Sequence, residues 1–447
     1  MRVVSVVALA ALGATAGVAT AGGEVDLLSP RAIGHAGASL VSDDGGAAAF
    51  VCPAAIARRD GARGQLAGLI VDDDVWLDAG PGHPRVRDLG PAELLPSLGV
   101  QVGWGRIVLG ASLAVTESID RRLPTPAPGL PDAAVIADHP HRYAGTDARW
   151  TRTTAALAVA VRATDWLAVG AALTLGRVDA GEERRLWAGF SGRDPVGTPG
   201  RDVTVAIAAD DPLVPGATVG ALVAPAEVPL ELGVGVAWAD DVRLAGPATI
   251  AAVRSPPSID AAAAQARARF GSALTLAAGV RWLGERWAVE AGATAWTYPT
   301  GHDGWTIDGA RVIDDSGATA AIAGVPTRLT RRSHGAVRAS LDVELAPGFL
   351  WMSAGWSWRG AGTPAARTTT TTIGLDPGGH TLGAGMSVSA GAATITLGVA
   401  RQLARTVTVE APGLPLDNPF GGGGEPANLG AHGRSRDLVG VGVELAW

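Results

Sequence analysis

Counted back in twos from the end, the chain reads Trp447, Leu445, Val443, Val441 and Val439, with Ala446, Glu444, Gly442 and Gly440 between them. One face of this stretch is apolar and the other is small or charged. A period of two marks a β-strand lying between two different environments. The same alternation recurs upstream, in pairs of segments. Leu98 to Trp104 alternates, Gly105-Arg106 makes a tight turn, and Ile107 to Val115 alternates again. Thr153 to Val161 carries Leu157, Val159 and Val161 on one face and Arg152, Thr154 and Arg162 on the other. The chain turns at Thr164-Asp165 and returns as Leu167 to Leu175.

Four further pairs follow: 217–223 with 230–238, 264–282 with 287–298, 337–345 with 350–358, and 379–389 with 392–409. With a first strand at 65–73 and a last at 435–447, the count is fourteen, joined by short turns and long polar loops in alternation. Val203 to Ala208 is strand-like but is read as structure within an outer loop, since a further span would make the number odd. An even number of strands with short turns on one side and long loops on the other is the topology of a transmembrane barrel. Closure is required, because an open edge would leave backbone groups unpaired in lipid. The C-terminal strand ending on an aromatic resembles the final strand of a bacterial outer-membrane barrel. The fold class expected is therefore all-β, a 14-stranded antiparallel transmembrane β-barrel over residues 62–447.

Composition agrees. Charged residues make up only 18% and hydrophobic ones 47%, with 62 Gly, which suits a lipid-facing sheet better than a soluble domain. A net charge of −7 leaves no basic footprint for nucleic acid. The single cysteine, Cys52, excludes an intrachain disulfide and a CxxC metal cluster. Arg2, the apolar run Val3 to Val18 and Ala19-Thr20-Ala21 read as a signal peptide over residues 1–21, cleaved before Gly22. Beyond it no run of about 18 apolar residues suggests a helical span.

On the apolar strand faces, Trp104, Trp282, Trp287 and Trp447 lie beside short turns or the terminus, whereas Trp238, Trp356 and Trp358 lie beside long loops. Two such bands are expected to be the aromatic girdles of a membrane barrel. Trp166, Trp296 and Trp351 have the opposite parity. The other face carries Arg152, Arg162, Glu231, Arg281, Glu290, Arg338, Asp342, Glu344 and Glu444, which a barrel would turn into its lumen.

Residues 22–61 do not alternate. They contain Ser29-Pro30-Arg31-Ala32-Ile33-Gly34, the small run Ala36-Gly37-Ala38, the pair Asp43-Asp44, and Phe50-Val51-Cys52-Pro53-Ala54. This segment resembles the mature start of the outer-membrane long-chain fatty acid transporter family, the FadL/TodX-type hydrophobic-compound porins. That family carries Ser-x-Arg-Ala-x-Gly, a pair of Asp and an aromatic-Asn-Pro-Ala motif there. Cys52 stands where the family has Asn. The resemblance implies that residues 22–61 form a hatch inside the lumen, with Asp43, Asp44, Phe50, Cys52, Pro53 and Ala54 as hatch or substrate residues. Asp43 and Asp44 would be costly in hydrocarbon, so arginines of the wall, such as Arg162, Arg281 or Arg338, are their expected partners.

The function implied is passage of hydrophobic compounds, long-chain fatty acids among them, through a plugged barrel in the bacterial cell outer membrane, without enzymatic chemistry. The alternative is a barrel of the same family acting as a scaffold for a secretion or surface complex. A general polar porin fits less well, because a plug and the absence of a charged constriction oppose it. The partners implied are a hydrophobic small-molecule ligand, outer-membrane lipid and the barrel-assembly machinery, with the chain acting as a monomer. No cofactor is implied.

Residues that often carry chemistry do not assemble into a motif. Asp138-His139-Pro140-His141 has no further His at ligand spacing and reads as a solvated loop. Gly421 to Gly424 lacks the flanking strand and helix of a phosphate cradle, and no G-x-S-x-G elbow exists. Thr368 to Thr372 is β-prone and is expected to flank the strand that follows.

Overall fold

The computed structural model describes residues 27–124, 139–189, 197–252, 258–260, 264–298, 303–325, 333–362, 376–410, 414–415, 418–420 and 426–447. The expected signal peptide, Asp138, Thr368 to Thr372 and Gly421 to Gly424 lie outside the described residues.

Alternation is converted into fourteen long strands: β1 (Ala62–Asp78), β2 (Glu93–Trp104), β3 (Ile107–Arg122), β4 (Asp147–Arg162), β5 (Leu167–Trp187), β6 (Asp202–Val223), β7 (Leu230–Ala239), β8 (Leu274–Leu283), β9 (Trp287–Thr297), β10 (His334–Ala346), β11 (Leu350–Arg359), β12 (Gly379–Ala390), β13 (Ala393–Ala404) and β14 (Gly430–Ala446). Each pairs antiparallel with the next. β14 then pairs with β1, from Arg63 opposite Ala446 to Asp78 opposite Ala431, and the ring closes. Every ladder therefore has a neighbour on both sides, as a backbone in hydrocarbon requires.

The hairpins on one side are tight. Gly105, Gly348 and Gly391 take φ of 58°, 63° and 61° there, the left-handed region that side chains avoid. The chain enters and leaves the barrel on that same side, which is the periplasmic side in a barrel of this topology. The connections at the other end are long.

The outside of the wall is apolar. Leu157, Leu173 and Leu66 are 70%, 71% and 63% exposed, and Leu98, Val100, Leu113, Leu341, Leu382 and Val441 join them. So wide an apolar band would be unfavourable in water, and it belongs against lipid acyl chains. Trp104, Trp282, Trp287 and Trp447 point outward near the tight turns, and Trp238 and Trp356 point outward toward the long loops. Trp358 has their parity but is half-buried. Trp166 is exposed in a turn, Trp296 is buried, and Trp351 lines the lumen.

Two strand assignments need correction. Val203 to Ala208 is not a separate loop element but the outer half of β6. Between Asp210 and Gly216, β6 changes partner, from residues 242–252 to β7. Pro212 and Pro215 sit at the change, where a residue without an N–H costs the ladder least. Conversely, the expected strand 264–282 is two. Gln265–Phe270 pairs with Val242–Ala252 outside the barrel ring, and only β8 spans. The outer extensions enclose a second apolar core, with Trp150, Val203, Ile207, Leu244, Phe270, Trp305 and Ile307.

Candidate ligand channel

Residues 27–61 lie inside the ring, and their local structure follows from a few side chains. Ser29 caps the short helix α1 (Pro30–Gly34), its Oγ accepting from the Ala32 N–H at 3.0 Å while its hydroxyl donates to Asp43. Pro30 at the first position suits a helix start. Ala36 and Gly37 turn the chain through positive φ. The helix α2 (Ala48–Val51) ends at Cys52, and Pro53 opens a 3-10 turn, Pro53–Arg58.

Wall glycines make room for this segment. A Cβ on Gly235 would lie 2.0 Å from the Val51 carbonyl oxygen, one on Gly355 2.1 Å from the His35 carbonyl carbon, and one on Gly398 2.1 Å from the Pro30 carbonyl oxygen. Gly99 and Gly385 similarly face Gly46 and Gly34 backbone to backbone. These glycines take inward positions of their strands, so the small face of the alternation is a seat for main chain.

Polar anchors fix the seat. Glu290 of β9 accepts from the Val41 and Ser42 N–H groups at 2.7 and 3.1 Å. Arg338 of β10 donates to the Gly37 carbonyl at 3.4 Å, and Ser340 to that of Ala38 at 3.0 Å. His35 meets Asp342 at 2.7 Å, and Arg58 meets Glu231 at 2.5 Å. Arg281 bridges the two wall acids, 3.5 Å from Glu231 and 3.6 Å from Asp342. A buried charge stripped of its partner is expensive, so this connected set ties the segment to β7, β8, β9 and β10.

The expected partners of the two aspartates are corrected by these contacts. Asp44 meets Arg59 at 2.8 Å and Arg63 of β1 at 3.8 Å. Asp43 is held by Ser29 and by the Gly45 N–H at 3.2 Å. Arg162 pairs with Asp60 at the rim, and Arg281 with the wall acids. Burial works to raise the Asp44 carboxyl, but Arg59 and Arg63 outweigh it and hold it below the usual range. For Asp43 burial wins over Ser29 and Arg31, and its carboxyl is raised. Burial also pushes the Cys52 thiol up to about 11, against backbone hydrogen bonds at Ala55 and Ala54. Cys52 lies under Gly220 and points at the Val234 carbonyl, 3.4 Å away, as a small buried residue.

Among the cavities of the lumen are two larger chambers, one on each side of the segment. The periplasmic one is polar and measures about 390 Å³; Arg31, Asp44, Arg59, Arg281, Asp342 and Glu444 are among its walls. The outer one measures about 210 Å³ and is bounded by Phe50, Val51, Trp238, Phe270, Ala273 and Trp296, with Arg152, Glu117 and Arg338 at its margin. Phe50 and Val51 of the segment are its floor. Trp238 belongs to the outward face of β7, so this chamber reaches the wall between β7 and β8. The β7–β8 ladder stops at Ala237 opposite Thr275, which leaves residues 238–241 and 271–274 without that pairing.

The sequence matches no protein-family model and no curated protein. The structure does have relatives. It matches the crystal structure of a Pseudomonas aeruginosa FadL homologue with a TM-score of 0.68, over 95% of this chain and 100% of that one, at 16% identity. The chain has the FadL/TodX-type fold. The P. putida toluene transporter TodX matches at a TM-score of 0.65, over 90% of this chain and 94% of that one, at 16% identity. The Ralstonia pickettii toluene transporter TbuX gives 0.62, 95%, 99% and 13% in the same order. A FadL-type barrel with an apolar exterior is an outer-membrane barrel, and among the described residues no helix is long and apolar enough to cross a membrane.

Of the candidate residues, Asp43, Asp44, Phe50, Cys52, Pro53 and Ala54 all lie in the lumen segment, and Glu231, Arg281, Glu290, Arg338 and Asp342 all face it. Glu344 does not join them: it accepts from the Gly348 N–H at 2.6 Å and closes a periplasmic turn. Residues missed by sequence reasoning are Ser29, Arg31, His35, Arg58, Arg59, Arg63 and Phe270. Ser29 and Arg31 stood within the family-like motif; no local pattern marked the others.

Proposed function

We propose that this protein carries hydrophobic compounds across the bacterial outer membrane, with long-chain fatty acids as the cargo class, and that residues 27–61 act as the hatch. The observation that supports this best is the outer chamber, apolar on the Phe50, Trp238, Phe270 and Trp296 sides and floored by the hatch rather than open to the periplasm. An apolar solute gains by leaving water for such a chamber, whereas a hydrated solute meets a packed segment. The margin of arginine suits the carboxylate end of a fatty acid. TodX and TbuX, which share the fold, are toluene transporters, and toluene is an apolar compound of the same broad class. The sites proposed to matter are Phe50 at the chamber floor, Cys52, Pro53 and Ala54 packed against the wall behind it, and Asp43 and Asp44 as anchors of the hatch.

The test is extraction of the purified, unsupplemented barrel followed by mass spectrometry of the organic phase. The expected outcome is a stoichiometric apolar acid, displaced when added oleate is in excess. Recovery of a stable protein partner with no apolar ligand would support the scaffold reading instead.

A further inference from the structure

The chain has eight histidines, and four of them form a file at the long-loop end. Ring centroids lie 5.8 Å apart from His83 to His139, 5.2 Å from His139 to His141, and 4.7 Å from His141 to His432, the last pair stacked. Three separate segments meet here: the connection after β1, the 3-10 turn Pro140–Ala144 after β3, and the start of β14. His83 is exposed, whereas His139, His141 and His432 are almost fully buried. Sequence reasoning took His139 and His141 for solvated loop residues; burial within this file corrects that.

The hydrogen bonds define the protons. His139 Nε2 donates to the Pro84 carbonyl at 3.0 Å, and its Nδ1 accepts from the His141 N–H at 3.1 Å. His141 Nε2 donates to the Leu429 carbonyl, and His432 Nε2 to the Asn428 carbonyl at 3.0 Å. Carbonyls only accept, so each of these rings carries a hydrogen on Nε2, and His139, whose Nδ1 accepts an N–H, is a neutral imidazole. A second proton has no welcome site. On His139 it would displace the His141 N–H, and on His141 it would fall on a buried Nδ1 that has no partner among the described residues.

We propose that this histidine file is an acid-labile latch, which holds the three outer segments together at neutral pH and releases them when its imidazoles are protonated. Among the described residues, few charged groups face it. Asp78 favours protonation of His139 and His141, but its carboxylate is engaged by Arg85 at 3.0 Å. Arg142 disfavours protonation of His139 and is itself held by Asp202 at 2.7 Å, which also accepts from Tyr143 at 2.8 Å. Burial lowers His139, and burial together with the neighbouring His432 lowers His141 to about 3. The ordinary value is near 6.5, so the released segment binds more protons than the latched one. Latching is therefore complete above roughly pH 6.5 and weakens as pH falls toward the latched values. For His141 alone, the change from about pH 7.5 to about pH 5 raises the released fraction roughly 30-fold.

The experiment is hydrogen–deuterium exchange of the full-length barrel in lipid nanodiscs at those two pH values, corrected for intrinsic exchange. Peptides over 139–146 and 426–434 should open at least about 30-fold more at the lower pH, while 393–404 in the barrel wall stays unchanged. His141→Gln, which removes one of the titrating rings, should lower that ratio by roughly 30-fold, the share of His141. Should this variant be open already at the higher pH, His432→Gln and the wild-type comparison carry the test. Latch peptides that follow the wall peptide at both pH values would overturn the proposal, as would a full pH response retained in both variants.

Discussion

Leu341 and Ser340 are neighbours in β10 with opposite surroundings. Leu341 faces lipid, and Ser340 is buried against the Ala38 carbonyl. Leu341→Arg should destabilise the barrel by roughly 2–4 kcal/mol, the cost of an arginine near the bilayer midplane. The inward control cannot be Ser340, because a large side chain there would collide with the hatch. Ser387 of β12 lines the 390 Å³ periplasmic chamber and has room. Ser387→Arg should cost well under half as much, read as unfolding free energy in urea with lipid vesicles. Equal costs would mean that the inside and outside of the wall have been exchanged. The same logic applies to the wall glycines. Gly235, Gly355 and Gly398 are fixed by main chain at van der Waals range, a constraint that flexible neighbours could not relieve.

At the scale of elements, docking of the lumen segment rests on few groups, and Glu290 is the most exacting of them. One carboxylate receives two consecutive N–H groups within a buried site. A hydrogen bond to a charged group contributes about 1.5–3 kcal/mol. Glu290→Ala should therefore raise exchange of the Val41 and Ser42 amides by tenfold or more, and leave the β9–β10 ladder protected. Unchanged protection at 41–42 would show that the hatch is held by packing alone. The strands themselves were legible because their signal is local: a two-residue period survives in any window of seven. Where the period was interrupted, legibility failed. Pro212 and Pro215 hid the continuity of β6, and the break at residues 271–273 was invisible between two alternating runs. The outer extensions were also underestimated, since above the bilayer band both faces can be buried and the alternation fades, as at Trp187 and Val203.

At the scale of the molecule, barrel and lumen segment were legible to different degrees for one reason. The barrel follows from periodicity and parity. Several contacts of the lumen segment join residues far apart in the chain, 249 positions for Val41 with Glu290 and 307 for His35 with Asp342, and nothing local encodes such pairs. A charge pattern could show that inward acids and arginines exist, but not that Asp44 would choose Arg59 and Arg63 over Arg281. The histidine file was hidden likewise, its members coming from three distant segments. What the whole structure adds is a division of the lumen: a more apolar chamber outside, a more polar one inside, and a packed segment between. No ladder of the ring uses residues 27–61, so the barrel closes without them, and they separate the chambers.

That division is tested most directly by measuring two fluxes through one protein. The full-length barrel in planar bilayers should show almost no single-channel conductance, while a Gram-negative host lacking its own fatty acid channel should regain uptake of labelled oleate when the chain is expressed. Deletion of residues 27–58 should reverse both readings, giving a steady ion conductance and loss of selective oleate uptake. A full-length barrel that conducts ions freely, or a host that gains no oleate uptake although the barrel is folded in its outer membrane, would contradict the account.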